Sequence, residues 1–142
     1  MTLFASDNVL VPTDFFEQSH QALTQALETF GSTTKIHVVH VLPPLEPTQP
    51  GMVWQTVDQQ TRSDRITALF HETFPDEAYQ QIKFSVIVGN PSSEIIDYAA
   101  SQNIDLIVIS SHGRTGLSRF LLGSVTERVV RFAPCPVLVL RH

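Results

Sequence analysis

Short apolar segments alternate with amphipathic ones along the chain, and this alternation constrains the fold more than any other feature. Five segments are rich in valine, isoleucine and leucine without polar alternation, which is typical of strands buried on both faces of a parallel sheet. Four intervening segments carry apolar residues at helical spacing. The predicted strands cover residues 8–12, 35–42, 82–89, 104–110 and 136–140. The predicted helices cover residues 14–31, 56–74, 90–102 and 124–132.

This order of elements predicts the α/β class. Parallel strands joined by right-handed helical crossovers form a doubly wound, Rossmann-like sheet. We expect five parallel strands in the order 3-2-1-4-5. The 142 residues suit one domain of ordinary size, and we expect that domain to span residues 1–142.

Composition excludes several classes of protein. Apolar residues make up 42% of the chain and charged residues 16%, as in a globular domain. The net charge of −5 argues against nucleic acid or a membrane as partner. One cysteine, Cys135, rules out an internal disulfide framework. No signal peptide is evident, and no apolar run approaches the roughly 20 residues that span a bilayer. We therefore expect a cytoplasmic protein.

The charge is reversed between Ser110 and Arg131, which suggests a bound anion. Four arginines and one glutamate give this stretch +3, so the rest of the chain carries −8. Gly113 and Gly123 bracket nine residues, and Ser124 opens the last predicted helix. Unpaired amides at a helix start, together with the helix dipole, favour a phosphate. Glycine lets the backbone approach that anion closely.

Each of these features has a structural alternative. Ser124 and Glu127 fit a capping box, in which Ser124 accepts from the Glu127 amide. Gly116 fits a simple turn. The arginines at positions 119, 128 and 131 fit a solvated surface.

Two polar segments follow strands that we expect to be neighbours. "PTDF", residues 12–15, follows strand one, and "SSHG", residues 110–113, follows strand four. In open parallel sheets, ligands bind outside the carboxyl ends of the strands where the strand order reverses. Asp14 is either a helix N-cap or a carboxylate that accepts from ribose hydroxyls. His112 either donates to a phosphate or supports its loop, and we favour support. We predict no catalytic pair and no metal site.

The chain resembles the universal stress protein family. The resemblance rests on "VLVPTDF" at 9–15, "IHVVHVL" at 36–42, "GNPSSEIIDYA" at 89–99 and the long segment at 110–141. It implies the fold described above and ATP binding through a Gly-x2-Gly-x9-Gly motif followed by Ser or Thr. ADP or AMP are alternative ligands, and Mg²⁺ is left open as an accompanying ion.

The resemblance also implies a nucleotide site built from three strand ends and one helix start. Asp14 and its neighbours would line the adenosine, with Asp14 on the ribose. Val41 would meet the adenine through its backbone, and residues 109–111 would run along the ribose. Residues 112–113 would sit near the phosphates, and residues 123–126 would cradle them. The implied site residues are Pro12, Thr13, Asp14, Val41, Ile109, Ser110, Ser111, His112, Gly113, Gly123, Ser124, Val125 and Thr126.

The sequence departs from the motif at its first glycine, which is Ser110 here. A serine adds a Cβ where the family's backbone passes close to the nucleotide. The last strand, 136–140, is expected at a sheet edge, and the resemblance implies a homodimer joined through it.

These observations predict a nucleotide-dependent regulatory switch in the stress response, in which binding orders the loop at 111–123. The alternatives are a slow ATPase or phosphotransferase, and an interaction protein that binds no nucleotide.

Overall fold

A five-stranded parallel sheet organises the chain. The computed structural model describes residues 7–15, 17–30, 35–44, 55–111 and 122–141. The sheet order is β3-β2-β1-β4-β5 and each adjacent pair is parallel, which confirms the predicted fold. The strands are β1 (Asn8–Pro12), β2 (Lys35–Leu42), β3 (Lys83–Val88), β4 (Leu106–Ser110) and β5 (Val137–Leu140).

Four α-helices connect these strands. They are α1 (Glu17–Phe30), α2 (Gln55–Thr73), α3 (Pro91–Ser101) and α4 (Ser124–Phe132). A short 3-10 turn at Glu77–Tyr79 was not predicted. Of the helices that the structure describes, none is both long enough and apolar enough to cross a membrane.

The start of α3 carries a side-chain cap, whereas the start of α1 was predicted too early. Asn90 Oδ1 accepts from Ser93 N at 3.2 Å, and Pro91 occupies the first turn of α3. α1 begins at Glu17 and not near residue 14. Phe15 has a φ of 64°, in the left-handed region, so it cannot continue a right-handed helix.

The core lies on both faces of the sheet, as a doubly wound fold requires. Successive strand residues point to opposite faces. Val9 and Val11 therefore pack with Phe70 beneath α1 and α2, while Leu10 packs with Val129 beneath α3 and α4. Fully burying one such side chain stabilises the fold by about 1.5–3 kcal/mol. These two layers hold the strand ends in fixed positions.

His37 is buried on the face of the sheet that α3 and α4 cover. His37 is 2% exposed, with Nδ1 2.7 Å from Tyr98 Oη and Nε2 3.2 Å from Asn8 Oδ1. Burial lowers the pKa of His37, and the nearby charges of Lys35 and Lys83 lower it further. The neutral ring donates from Nε2 to the Asn8 oxygen and accepts at Nδ1 from the tyrosine hydroxyl.

A pH-dependent stability follows from the lowered pKa of His37. Between its lowered folded pKa and its ordinary value of about 6.5, the unfolded chain binds the proton and the folded chain does not. The free energy of unfolding therefore falls as the pH falls below about 6.5. His37→Gln removes this term, so the stability difference between wild type and variant should shrink from about pH 7.5 to about pH 5.5. Urea melts across this range measure it.

The matched control is His71→Gln, at an exposed position on α2. Its stability should run parallel to that of the wild type over the same pH range. A His37→Gln difference that stays constant with pH would contradict the assignment of a neutral buried ring.

Candidate functional site

A cleft opens at the carboxyl ends of β1 and β4, where the strand order reverses. β1 pairs with β4 on one side and with β2 on the other, so polypeptide leaves these strands in opposite directions around the opening. The cleft encloses about 290 Å³, close to the lower bound of about 300 Å³ for small-molecule sites. Its lining comes from both helix layers: Pro12, Thr13, Asp14, Ser19, Val39, His40, Val41, Pro91, Ile95, Ile109, Gly123, Ser124, Val125 and Thr126.

The turn between β1 and α1 carries a half-buried carboxylate at this cleft. Ser19 Oγ donates to Asp14 Oδ1 at 2.8 Å and lies 3.1 Å from Thr13 Oγ1. The Phe15 amide donates to Thr13 Oγ1 at 3.1 Å. The N-cap alternative does not describe this geometry, because α1 begins three residues after Asp14. The turn instead holds Asp14 as a hydrogen-bond acceptor in the cleft lining.

The end of β2 presents a main-chain edge to the same cleft. Thr13 N donates to Val39 O at 2.9 Å on the β1 side, and Gly89 N donates to Leu42 O at 2.9 Å on the β3 side. Successive residues of a strand direct their peptide groups to alternate sides. The amide and carbonyl of Val41 therefore face the β1 side, where β1 has already ended. A planar base edge with one donor and one acceptor matches such a pair.

Buried hydrogen bonds join the end of β4 to the start of α4. Thr126 Oγ1 donates to Ser110 O at 2.7 Å, and Gly123 N donates to Ser111 O at 2.9 Å. Ser111 N in turn donates to Leu140 O at 2.8 Å. The Gly123 amide, one of those expected at residues 123–126 to cradle the phosphates, therefore closes a bond within the protein.

The first turn of α4 offers three other amides. The first intrahelical bond runs from Glu127 N to Gly123 O at 2.9 Å, so the amides of residues 124–126 precede the helical ladder. The capping-box alternative does not describe this helix start. Gly123 is the N-cap without a side-chain hydrogen bond, and the Glu127 carboxylate pairs with Arg131 at 2.8 Å. The positive end of the helix dipole lies at this cleft edge.

The sequence profile of the universal stress protein family matches residues 5–141. The chain belongs to the universal stress protein family. A universal stress protein of Methanocaldococcus jannaschii, MJ0531, is 33% identical over 138 residues, which cover 94% of this chain and 81% of that protein.

Solved universal stress proteins share the fold. One in complex with cAMP is 24% identical with a TM-score of 0.70, over 96% of this chain and 98% of that chain. One from Arabidopsis thaliana with AMP bound is 22% identical with a TM-score of 0.61, over 95% of this chain and 92% of that chain.

Most site residues implied by the family resemblance converge in this universal stress protein. The residues from the ends of β1 and β2, together with Ile109 and residues 123–126, line the cleft. Ser110 and Ser111 are buried at 7% and 3% exposure and lie behind the lining. Ser110 is an ordinary strand residue paired with Leu140, so β4 accommodates a Cβ at this position. His112 and Gly113 lie outside the residues that the structure describes.

The arginines of α4 lie on a solvated surface, which was the structural alternative to anion binding. Arg128 and Arg131 are both exposed. Arg131 pairs with Glu127 one turn earlier, and the Arg128 guanidinium lies 5.7 Å from the centre of the Phe132 ring. Arg114, Arg119 and Gly116 fall outside the described residues. The positive charge of α4 therefore reaches solvent and not the cleft lining.

Sequence reasoning missed five residues of the cleft lining in this family member: Ser19, Val39, His40, Pro91 and Ile95. Pro91 had a usable signal, because it opens a helix directly after a strand end and therefore lies at the same sheet edge. Ser19 and His40 had none, since their roles depend on partners across the β1–α1 turn.

The imidazole of His20 is a titratable group near Asp14. His20 contacts the rings of Phe15 and Phe74, with centroids 6.2 Å and 5.1 Å away. Burial lowers the pKa of His20, against the opposing effect of the Asp14 carboxylate. Across the described segments, no three His, Cys, Asp or Glu side chains are grouped closely enough to hold a metal ion.

Proposed function

We propose that this universal stress protein binds an adenine nucleotide, ATP foremost, in the cleft between β1 and β4. The observation that carries the proposal is the convergence of three recognition groups on one cleft. These are a carboxylate at Asp14, an outward-facing peptide edge at Val41 and the first-turn amides of α4. The solved family members with cAMP and with AMP support the same class of ligand.

In this proposal the three groups take three parts of the nucleotide. Asp14 accepts from the ribose hydroxyls, and the Val41 peptide pairs with the adenine edge. Ile109 supplies apolar wall beside them. The amides of residues 124–126 donate to the phosphates, and the family resemblance implies that His112 and Gly113 lie near them. We also propose that Mg²⁺ accompanies ATP on its phosphate oxygens, as it usually does in nucleotide sites.

A change at Gly123 tests this assignment. Its φ of −61° is accessible to any residue, so Gly123→Val should fold while its side chain projects beside the first amides of α4. We expect at least about a tenfold loss of ATP affinity by calorimetry, equivalent to about 1.4 kcal/mol. Purified wild-type protein should release ATP, ADP or AMP on heating, as detected by ion-exchange chromatography.

The matched control is Ala100→Val, which introduces the same side chain at an exposed position on α3 outside the cleft lining. It should bind ATP with wild-type affinity. A folded Gly123→Val variant that also does so would overturn the assignment of the phosphate site.

We further propose that the nucleotide acts as a regulatory signal through the segment at 111–123. The Gly123–Ser111 and Thr126–Ser110 hydrogen bonds tie both ends of this segment to the cleft. A ligand that contacts both ends should restrain what lies between them.

Hydrogen exchange measures that restraint. Adding ATP should slow amide exchange in peptides covering residues 111–126, because bound phosphates engage amides of this region. Peptides covering α2, on the other helix layer, serve as the internal control and should not change. Equal exchange at 111–126 with and without ATP would count against the switch.

We also propose a homodimer through β5, which is the edge strand next to β4. Exposed apolar side chains accompany this edge: Leu138 is 42% exposed, and Val130 and Phe132 of α4 are 45% and 57% exposed. A strand edge flanked by apolar side chains favours pairing with a second copy about a two-fold axis.

Leu138→Arg should convert the dimer to a monomer in sedimentation velocity, because the paired edges would bring like charges together. Leu69→Arg is the matched control, since Leu69 on α2 is 40% exposed and α2 packs at the opposite end of the sheet, against β3. It should remain dimeric. A Leu138→Arg protein that still sediments as a dimer would place the interface elsewhere.

A further inference from the structure

The backbone pairing between β1 and β2 ends at an unusual junction. The register pairs Pro12 with Val39, which places Thr13 opposite His40. Thr13 N donates to Val39 O at 2.9 Å. In a continuing parallel ladder, the next bond would run from Val41 N to Thr13 O. The structure instead gives Thr13 O a side-chain donor, His40 Nδ1 at 2.8 Å.

This contact indicates which ring nitrogen of His40 acts as the donor. A carbonyl oxygen only accepts hydrogen bonds, so His40 Nδ1 carries a proton and donates it. The ring therefore takes the place of a main-chain donor at the last rung of the ladder.

The same ring supports the turn that follows. The Phe15 ring meets the His40 ring edge-on, with centroids 5.0 Å apart and planes at 69°. Phe15 also contacts Phe84, which stacks on the buried Phe70 at 4.3 Å. The left-handed φ of Phe15, 64°, is disfavoured for an aromatic residue and persists only where its surroundings hold it. His40 is one of the groups that hold it.

Asp14 lies between the two residues that His40 contacts. Its neighbours on either side are Thr13, bound through the carbonyl, and Phe15, held through the ring. Ser19 then orients the Asp14 carboxylate at 2.8 Å. The direction in which Asp14 faces the cleft therefore depends on the main chain that His40 fixes.

We propose that His40 is a positioning residue for nucleotide binding, which acts by holding the Thr13 carbonyl and thereby the turn that carries Asp14. The inference rests on the proposed function and adds to it a residue that determines ribose recognition. His40 acts through the turn and not through the phosphates.

Two substitutions separate the hydrogen bond from the ring. His40→Phe keeps an aromatic ring against Phe15 and removes the donor. His40→Asn places an amide nitrogen near the position of Nδ1 and removes the ring. We expect His40→Phe to weaken ATP binding about fivefold or more, as the loss of one hydrogen bond implies. His40→Asn should retain most of the affinity.

Ribose discrimination gives a readout that general destabilisation does not move. Wild type should bind ATP more tightly than 2′,3′-dideoxyATP, because the Asp14 carboxylate accepts from the ribose hydroxyls. In His40→Phe the ratio of the two dissociation constants should fall toward one. In an Asp14→Ala background, His40→Phe should cost little further affinity, since the two residues act as a unit.

Circular dichroism melts show whether each variant folds. The control is His71→Leu, on the exposed face of α2, which should keep the wild-type ATP affinity and the wild-type preference for ATP over 2′,3′-dideoxyATP. If His40→Phe does not fold, His40→Ala replaces it as the variant without a donor. The proposal is overturned if the variant without a donor keeps the wild-type ratio of dissociation constants for the two nucleotides. It is also overturned if His40→Asn loses as much ATP affinity as that variant. The third contrary result is that His40→Phe costs as much affinity in the Asp14→Ala background as it does in the wild type. A wild type that binds no adenine nucleotide would overturn the proposed function and this inference together. If the wild type binds ATP more tightly than 2′,3′-dideoxyATP and the variant without a donor shows the same ratio, this inference alone is overturned.

Discussion

Parallel pairing of β1 with β2 on one side and β4 on the other is the constraint on which the rest of the structure depends. Parallel strands end at a common edge, so three carboxyl ends lie together where the connecting helices diverge to opposite faces. Buried apolar layers on both faces of the sheet fix this edge. The cleft is therefore a consequence of strand order, and the groups that line it are those that follow the strand ends.

Polar side chains at the cleft hold main-chain carbonyls and the Asp14 carboxylate in place. Thr126 binds the Ser110 carbonyl, Ser19 binds the Asp14 carboxylate, and His40 binds the Thr13 carbonyl. Each contact satisfies a polar group that would be costly to bury alone. The hydroxyls and the imidazole are therefore paired within the protein, beside the amides and the carboxylate that line the same cleft.

Two histidines of β2 show how strand geometry separates roles. His37 and His40 are three residues apart, so they lie on opposite faces of the sheet. His37 faces α3 and is enclosed with Tyr98, where burial favours its neutral form. His40 faces the β1–α1 turn and shapes the cleft. The same residue type thus packs in the core on one face and holds a cleft-lining turn on the other.

The sequence by itself determined the α/β class, because buried strands and amphipathic helices differ in local periodicity. The strand order and the position of the cleft were predicted from the topology expected of such an alternation. The sequence also located the turn at Asp14 and the start of α4, since these lie at the boundaries of predicted elements, whereas Val41 came from the family resemblance. Only the tertiary structure decided that α1 begins at Glu17, that the Gly123 amide is already paired and that His40 closes the β1–β2 ladder. These features depend on contacts between residues far apart in the chain or on a single left-handed residue, and neither leaves a periodic trace in the sequence.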